Sequence, residues 1–360
     1  MRLTRRAFSL LAAAGLAAPG VALAEPIPPA IIAEGGSAEE RIEDTHGALD
    51  LAINQGCDFL QVDVVPSKEG ALVARRDNEL SASTDVAARS EFAARKTTKT
   101  IDGADVTGWF AEDFTADELK TLLCREAQPK LRPQNVKLAG KEPVLDLAQV
   151  LQIARDGCVR TARTIGVCVR LLRPAYFAGQ GLYLASRLAS DLTTLGYASP
   201  AAAVWVQASE PDALKTFGQL SKVRRMLVID RPTGGGPATV PTLTDVATYA
   251  EAIAPDQDLL LDPAAAIFPA PTTLALDAHS AGLKVFSRTA RAENAFLPQL
   301  LRKGDKRSSA YDGQRGDVDK LLIALFADRV DGVATDVPDA AVRARKAVAD
   351  AIAEAQRKRG

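Results

Sequence analysis

Histidine is nearly absent. The 360-residue chain holds only His46 and His279, so any mechanism that uses imidazole as acid and base must draw on these two. The same count excludes a zinc site made of several histidines. An excess of charge is missing as well: 44 Lys and Arg stand against 45 Asp and Glu, a formal net charge of -1. Nucleic-acid binding needs a basic surface that neutralises phosphates, and this balance removes the electrostatic case for it. The four cysteines, Cys57, Cys124, Cys158 and Cys168, form no C-x-x-C pair, and Cys168 lies in an apolar run where a buried thiol is expected. Gly234-Gly235-Gly236 lacks the Lys and Ser/Thr of a phosphate-binding loop. No repeat or low-complexity tract stands out. What is present is an ordinary globular composition, 47% hydrophobic and 25% charged, enough for a sizeable core.

The opening residues 1–24, MRLTRRAFSLLAAAGLAAPGVALA, have a basic start, an apolar run from Ala7 to Ala18, and small residues Ala22 and Ala24 before Glu25. That is the layout of a cleaved signal peptide. The Arg5-Arg6 pair followed by Ala7-Phe8 fits the twin-arginine type, which exports folded proteins in bacteria. A periplasmic location is therefore expected. The apolar run is too short for a stable membrane span, and no cysteine at the cut could take a lipid. That compartment permits disulfides, but the cysteine spacing does not indicate any.

Beyond the signal, residues 25–360 alternate between strand and helix patterns. Apolar or β-branched runs fall at Ala30 to Ala33, Phe59 to Val65, Thr164 to Arg170, Ala203 to Gln207, Arg225 to Ile229, Leu259 to Leu261, Lys284 to Phe286 and Gly332 to Thr335. Helical patterns lie between them, at Ile42 to Gln55, Leu145 to Arg155, Gly181 to Leu195, Pro211 to Leu220, Leu243 to Ala252, Pro271 to Ala281, Val318 to Asp328 and Val337 to Arg357. Eight such units predict an α/β fold, a (β/α)8 TIM barrel, with an open doubly wound sheet as the alternative. One segment, about 78–142, breaks the rhythm after strand two. It is polar and Gly-rich, only Ala116 to Cys124 reads as a helix, and its length predicts an insertion over one end of the barrel.

Barrels of this kind build their sites at the C-terminal ends of the strands. Those positions hold Glu34, Gln61, Asp63, Arg170, Gln207 and Asp230, with Glu43 at the opening of the first helix, Arg76 in a short extended return, and Arg288 just past strand seven. Any one of them alone reads as a rim salt bridge, whereas together they make a candidate site.

The order and context of these residues resemble one family. Ile31-Ile32-Ala33-Glu34-Gly35-Gly36, Ile42-Glu43-Asp44-Thr45, Gln61-Val62-Asp63-Val64 and Lys68-Glu69-Gly70 through Arg76-Asp77 look like the opening of a glycerophosphodiester phosphodiesterase, in its periplasmic, longer type. Such enzymes read H-R-G, P-E-N-T, E-x-D-V and then a K-D-G turn with H-D. The likeness continues through Arg291-Ala292-Glu293-Asn294 and Val330-Asp331-Gly332-Val333-Ala334-Thr335-Asp336. It implies a barrel that hydrolyses glycerophosphodiesters to an alcohol and glycerol 3-phosphate, within lipid and glycerol metabolism. Two histidines would act as acid and base, and carboxylates would hold calcium or magnesium.

The departures fall on the catalytic positions. Glu34 stands at the first family histidine and Arg76 at the second, with Gly35 at the arginine between them. Gln61 and Arg170 replace two metal-position glutamates, Leu172 replaces a lysine, and Arg288 replaces an aromatic residue. Only Glu43 and Asp63 remain at metal positions, too few for a hard cation that wants six or more oxygens. His46 lies about 100° around the first helix from the motif, and His279 lies on a late outer helix. These losses predict a pseudoenzyme with no expected cofactor, in which Arg76, Arg170 and Arg288 bind a small anion such as a glycerophosphodiester or phosphate. The alternative is an active phosphodiesterase with Glu34 as base, Arg76 stabilising phosphate charge, and Glu43 with Asp63 weakly holding calcium or magnesium.

Overall fold

The structure, a computed structural model, describes residues 28–230 and 239–358. The signal pattern and the glycine run at 234–236 lie outside the described residues.

Eight strands run parallel: β1 (Ala30–Glu34), β2 (Phe59–Pro66), β6 (Gly166–Leu171), β7 (Val204–Ala208), β8 (Arg224–Ile229), β9 (Ala252–Pro255), β10 (Lys284–Ala290) and β11 (Gly332–Thr335). Each bonds to the next, and β11 returns to β1 through Ala30↔Gly332, closing the (β/α)8 barrel expected from the sequence. A short β3 (Leu72–Ala74) pairs antiparallel with the far end of β2, Val64 opposite Ala74. Helices α1 (His46–Gln55), α3 (Leu147–Thr161), α5 (Leu184–Thr194), α6 (Pro211–Leu220), α9 (Leu274–Ser280), α10 (Val318–Ala327) and α11 (Pro338–Arg357) form the outer layer, with shorter turns α4 (Pro174–Ala178), α7 (Leu243–Val246) and α8 (Gln257–Leu260). Among the described residues no helix is long and apolar enough to cross a membrane.

Side chains two apart share a strand face, and this period separates the barrel's interior from its mouth. Ile32, Cys168, Trp205, Met226, Val228, Ala252, Ala254, Phe286 and Ala334 fill the interior. Trp205 and Phe286 dominate that layer, their rings meeting edge to face at 5.3 Å. Burying two such side chains contributes roughly 2 to 3 kcal/mol each. One inward step toward the C-terminal ends, the same strands present Glu34, Arg170, Gln207, Asp230, Arg288 and Asp336. The apolar layer is thus a floor for a polar mouth. The outward faces of the strands join the helices in one continuous core.

Four elements differ from expectation. The sixth strand is Ala252–Pro255, not Leu259 to Leu261, and the helix expected to run from Leu243 to Ala252 makes a single turn, Leu243–Val246. Alanine-rich AIAP reads as helix by propensity, but beside Trp205 and Phe286 the barrel wall has room only for small inward residues, Ala252 and Ala254. The first helix starts at His46 rather than Ile42, because Thr45 caps it and accepts from Ala48 N–H. Asp44 before the cap is left-handed, at φ 57°, which ends any helical run there. Strand β10 continues to Ala290, so Arg288 lies within it and not beyond it.

In the segment 78–142, helix α2 (Ala116–Thr121) stops before Leu122, because Leu123 and Cys124 bridge to Pro143 and Thr84. The segment also carries a hairpin, β4 (Thr97–Ile101) with β5 (Ala104–Gly108), which the sequence did not suggest. Its Phe92, Trp109 and Phe114 join the main core, and the Phe92 and Phe114 rings meet edge to face at 5.0 Å.

Candidate functional site

The mouth is built from guanidiniums interleaved with carboxylates. The β2-β3 return carries Arg75 and Arg76 back over the end of β2, where Arg75 N–H donates to the Asp63 carbonyl at 2.9 Å. Arg76 Nη2 reaches Glu34 Oε1 at 2.7 Å and its Nη1 reaches Glu43 Oε2 at 3.2 Å. From β10, two strands away, Arg288 approaches the same Glu34 oxygen at 3.5 Å, while the Thr289 hydroxyl donates to Glu34 Oε2. Arg170 lies 3.8 Å from Asp63 and 2.5 Å from Asp230, whose other oxygen takes Arg288 at 2.8 Å. Glu34, Glu43, Asp63, Arg76, Arg170 and Arg288 therefore meet in one network. Gln61 is beneath it, accepting from Gln207 at 3.3 Å.

Two glycines give the first loop its shape. Gly35, at φ 69°, stands where the resemblance places an arginine, and Gly36, at φ 86°, leaves no space for a Cβ, which would meet the Ala48 carbonyl at 2.5 Å. That close approach seats the start of α1 against β1 and brings Glu43 beside Glu34.

The electrostatics follow from burial set against the arginines. Burial pushes the Glu34 carboxyl up, but Arg288, Arg76 and Arg291 outweigh it and hold it below the ordinary carboxylate range. Glu43 is also held low, chiefly by Arg76 against its burial. Asp63 goes the other way, its burial prevailing over Arg170 and Arg76. Asp44, buried beside Glu43, is pushed up to about 8. Burial opposes the Arg76 charge, yet Glu34 and Glu43 raise its affinity for the proton still further. Arg76 therefore has no role in proton exchange at neutral pH.

Several buried polar atoms of the mouth have no partner: Gln61 Nε2, Asp63 Oδ1, Gln207 Oε1, Arg170 Nε and Arg288 Nε. Such atoms are costly unless water or a ligand meets them. The two histidines stand apart from the mouth. His46 is exposed at the first position of α1, and His279 pairs with Asp331 at 2.9 Å on the outer layer.

Other groups of the mouth carried no role in the sequence reading. Arg132, from the inserted segment, donates to Glu293 at 2.5 Å, to Asp336, and to the Ala38 carbonyl at 3.0 Å, and all three charged side chains are buried. Arg291 packs over the Phe296 ring at 4.6 Å. Asp336 was accessible to the period-two rule, being two residues beyond Ala334, just as Asp230, already among the strand-end candidates, is two beyond Val228. Arg132 had no such signal, because its position depends on how the insertion folds back.

A divalent cation does not suit this donor set. Both Glu34 oxygens and one Glu43 oxygen are engaged by protein donors, and Arg170 brings positive charge to the place where a ligand carboxylate would be needed. Among the described residues no cluster of three or more His, Cys, Asp or Glu side chains is arranged to hold a metal.

Fold and mouth together define a (β/α)8-barrel protein with a buried, charge-dense site at the C-terminal ends of its strands. Residues 35–340 match the glycerophosphoryl diester phosphodiesterase family, and the chain belongs to that family. It is 29% identical to glycerophosphodiester phosphodiesterase GDPD6 of Arabidopsis thaliana over 287 residues, 74% of this chain and 75% of that protein. It is 26% identical to glycerophosphodiester phosphodiesterase GDPDL6 of the same plant, across 87% of this chain but only 39% of that longer relative. In fold it is similar to an Oleispira antarctica phosphodiesterase solved in complex with the product sn-glycerol-3-phosphate, with a TM-score of 0.55 and 16% identity over 88% of this chain and 96% of that one.

Proposed function

We propose that this chain is a catalytically impaired, periplasmic member of its family that binds a small phosphorylated or other anionic ligand through Arg76, Arg170 and Arg288, without a metal. The observation that carries the reading is the ion pair between Arg76 and Glu34, 2.7 Å apart, at the positions where the family resemblance places its two histidines. An arginine has no proton to trade at neutral pH, and loss of a general acid or base typically costs a factor of ~100 to 10,000. The unpartnered donors Gln61 Nε2, Arg170 Nε and Arg288 Nε favour a ligand with several oxygens. The Oleispira relative, crystallised with sn-glycerol-3-phosphate, suggests the chemical class. Export rests on the twin-arginine pattern at Arg5-Arg6.

The test is a coupled assay for glycerol 3-phosphate released from glycerophosphocholine, with and without calcium, beside calorimetry in EDTA. The expected result is no turnover in either condition and measurable heat with glycerol 3-phosphate. No heat with any glycerophosphodiester or glycerol phosphate sinks the binding role, and turnover that Glu34→Gln abolishes overturns the impairment.

One observation favours the second reading, an active phosphodiesterase. Glu34 is held in its charged form while the nearby Asp63 is pushed toward its protonated form, with Oδ1 unpartnered. An environment of this kind leaves Asp63 as the available acid, with Glu34 as a fixed negative charge that holds the arginines in place. Turnover lost in both Glu34→Gln and Asp63→Asn would establish that arrangement.

A further inference from the structure

Arg170 and Arg288 project from strands on opposite sides of β8, and the carboxylate of Asp230 at the end of β8 spans the gap between them. Arg170 Nη2 donates to Asp230 Oδ2 at 2.5 Å, and Arg288 Nη1 donates to Asp230 Oδ1 at 2.8 Å. Ser209 Oγ joins the same end, donating to Asp230 Oδ2 at 3.3 Å and lying 3.2 Å from Arg170 Nη2. One oxygen to each guanidinium is how a pair of arginines grips a phosphate or carboxylate. The burial is lopsided. The side chains of Arg170 and Arg288 are 11% and 6% exposed, whereas that of Asp230 is 39% exposed. The fixed parts of this arrangement are the two arginines, each retaining a buried Nε without a partner, and the part with access to water is the carboxylate.

Building on the anion-binding reading above, we propose that Arg170 and Arg288 form the anion-receiving fork of the mouth and that Asp230 is its internal occupant, displaced by a phosphate monoester. Ligand and Asp230 compete for the same two guanidinium nitrogens, so only the charge gained on exchange drives binding. A phosphodiester brings one negative charge, no more than the carboxylate it replaces. A phosphate monoester brings about -1.5 to -2 at neutral pH, so it gains where the diester breaks even. The mouth is in this way selective for the monoester, whether free phosphate or phosphate on a small polyol. Displacement leaves the wall intact, because Arg288 keeps Glu34 at 3.5 Å and Arg170 keeps Asp63 at 3.8 Å.

The test is calorimetry of the full-length wild-type protein and of Asp230→Asn in EDTA, with inorganic phosphate, sn-glycerol 3-phosphate and glycerophosphocholine as probes. Asp230→Ser serves as a second variant, and circular dichroism checks that each folds. The expected result is that both variants bind inorganic phosphate and sn-glycerol 3-phosphate about tenfold or more tightly than wild type, with the monoester ahead of the diester in every protein. Binding to the variants with none to wild type overturns displacement by a monoester, because Asp230 then holds the fork shut, and it sinks the anion-binding role of the wild-type chain. Wild-type binding that the variants leave unchanged or weaken overturns the internal occupant and leaves the anion-binding reading standing. A diester that binds as tightly as the monoester overturns the charge-exchange argument. No binding to any of the three proteins overturns the anion-binding reading and this inference with it.

Discussion

Arg76 Nη2 lies 2.7 Å from Glu34 Oε1, so the side chains at the family's two histidine positions hold one another. Glu34 also serves Arg288, and its side chain is only 3% exposed. Glu34→Gln removes the charge that both guanidiniums face while keeping the shape. Arg76 keeps Glu43 and Arg288 keeps Asp230, so the expected cost is that of lost charged hydrogen bonds, about 1.5 to 3 kcal/mol. Urea unfolding should show that loss, and a variant within about 0.5 kcal/mol of wild type would mean the network is not a source of stability.

Asp44 makes stability depend on pH in the direction opposite to most carboxylates. Its carboxyl is pushed from an ordinary 3.8 up to about 8 by burial and by Glu43, so between those values the folded chain holds a proton that the unfolded chain has released. Stability from this group is complete below about 4 and is lost as pH rises through 8, at up to about 1 kcal/mol per pH unit. Asp44→Asn also suits the left-handed backbone at that position, φ 57°. Denaturation midpoints at pH 5 and pH 8 should fall less in the variant than in wild type. Equal falls would show that Asp44 is not the titrating group.

Arg132 is the anchor of the inserted segment. It meets Glu293 at 2.5 Å and also holds Asp336, with all three side chains no more than 5% exposed. Arg132→Met leaves two carboxylates buried together. The expected outcome is a loss of about 3 kcal/mol or more and faster protease cleavage between residues 125 and 141. Unchanged cleavage would show that the segment's aromatic core holds it without this anchor.

Adding carboxylates to the mouth should create cation affinity. Gln61→Glu with Arg170→Glu places two more acids beside Asp63 and Glu43. Calcium binding in the range of about 10⁻⁴ to 10⁻³ M is expected by calorimetry, with none in wild type. If the double variant binds no calcium, the arginines at 76 and 288 suffice to exclude it.

The barrel was legible because most of its strands are short apolar runs between amphipathic helices. The mouth was legible because an inward residue fixes the residue two further on: Ile32 gives Glu34, Cys168 gives Arg170, and Phe286 gives Arg288. Neither rule reaches AIAP, whose alanines satisfy a helix as well as a strand until Trp205 and Phe286 crowd the barrel interior. Glu43 was expected on a helix because nothing in Ile42-Glu43-Asp44 announces the left-handed Asp44. The partners of Arg132 and Asp230 were out of reach for a different reason, since they come from segments far apart in sequence. Which carboxylate an arginine finds is decided only when the chain closes on itself.

That closure has a consequence for substitution. Six side chains of the mouth hand charge along one row, Arg76 to Glu34 to Arg288 to Asp230 to Arg170 to Asp63. Glu34 and Asp230 each hold two arginines, so a change at either one is felt at two pairs at once. Each of these two carboxylates is a joint of the row, and the guanidiniums on its two sides answer to it together.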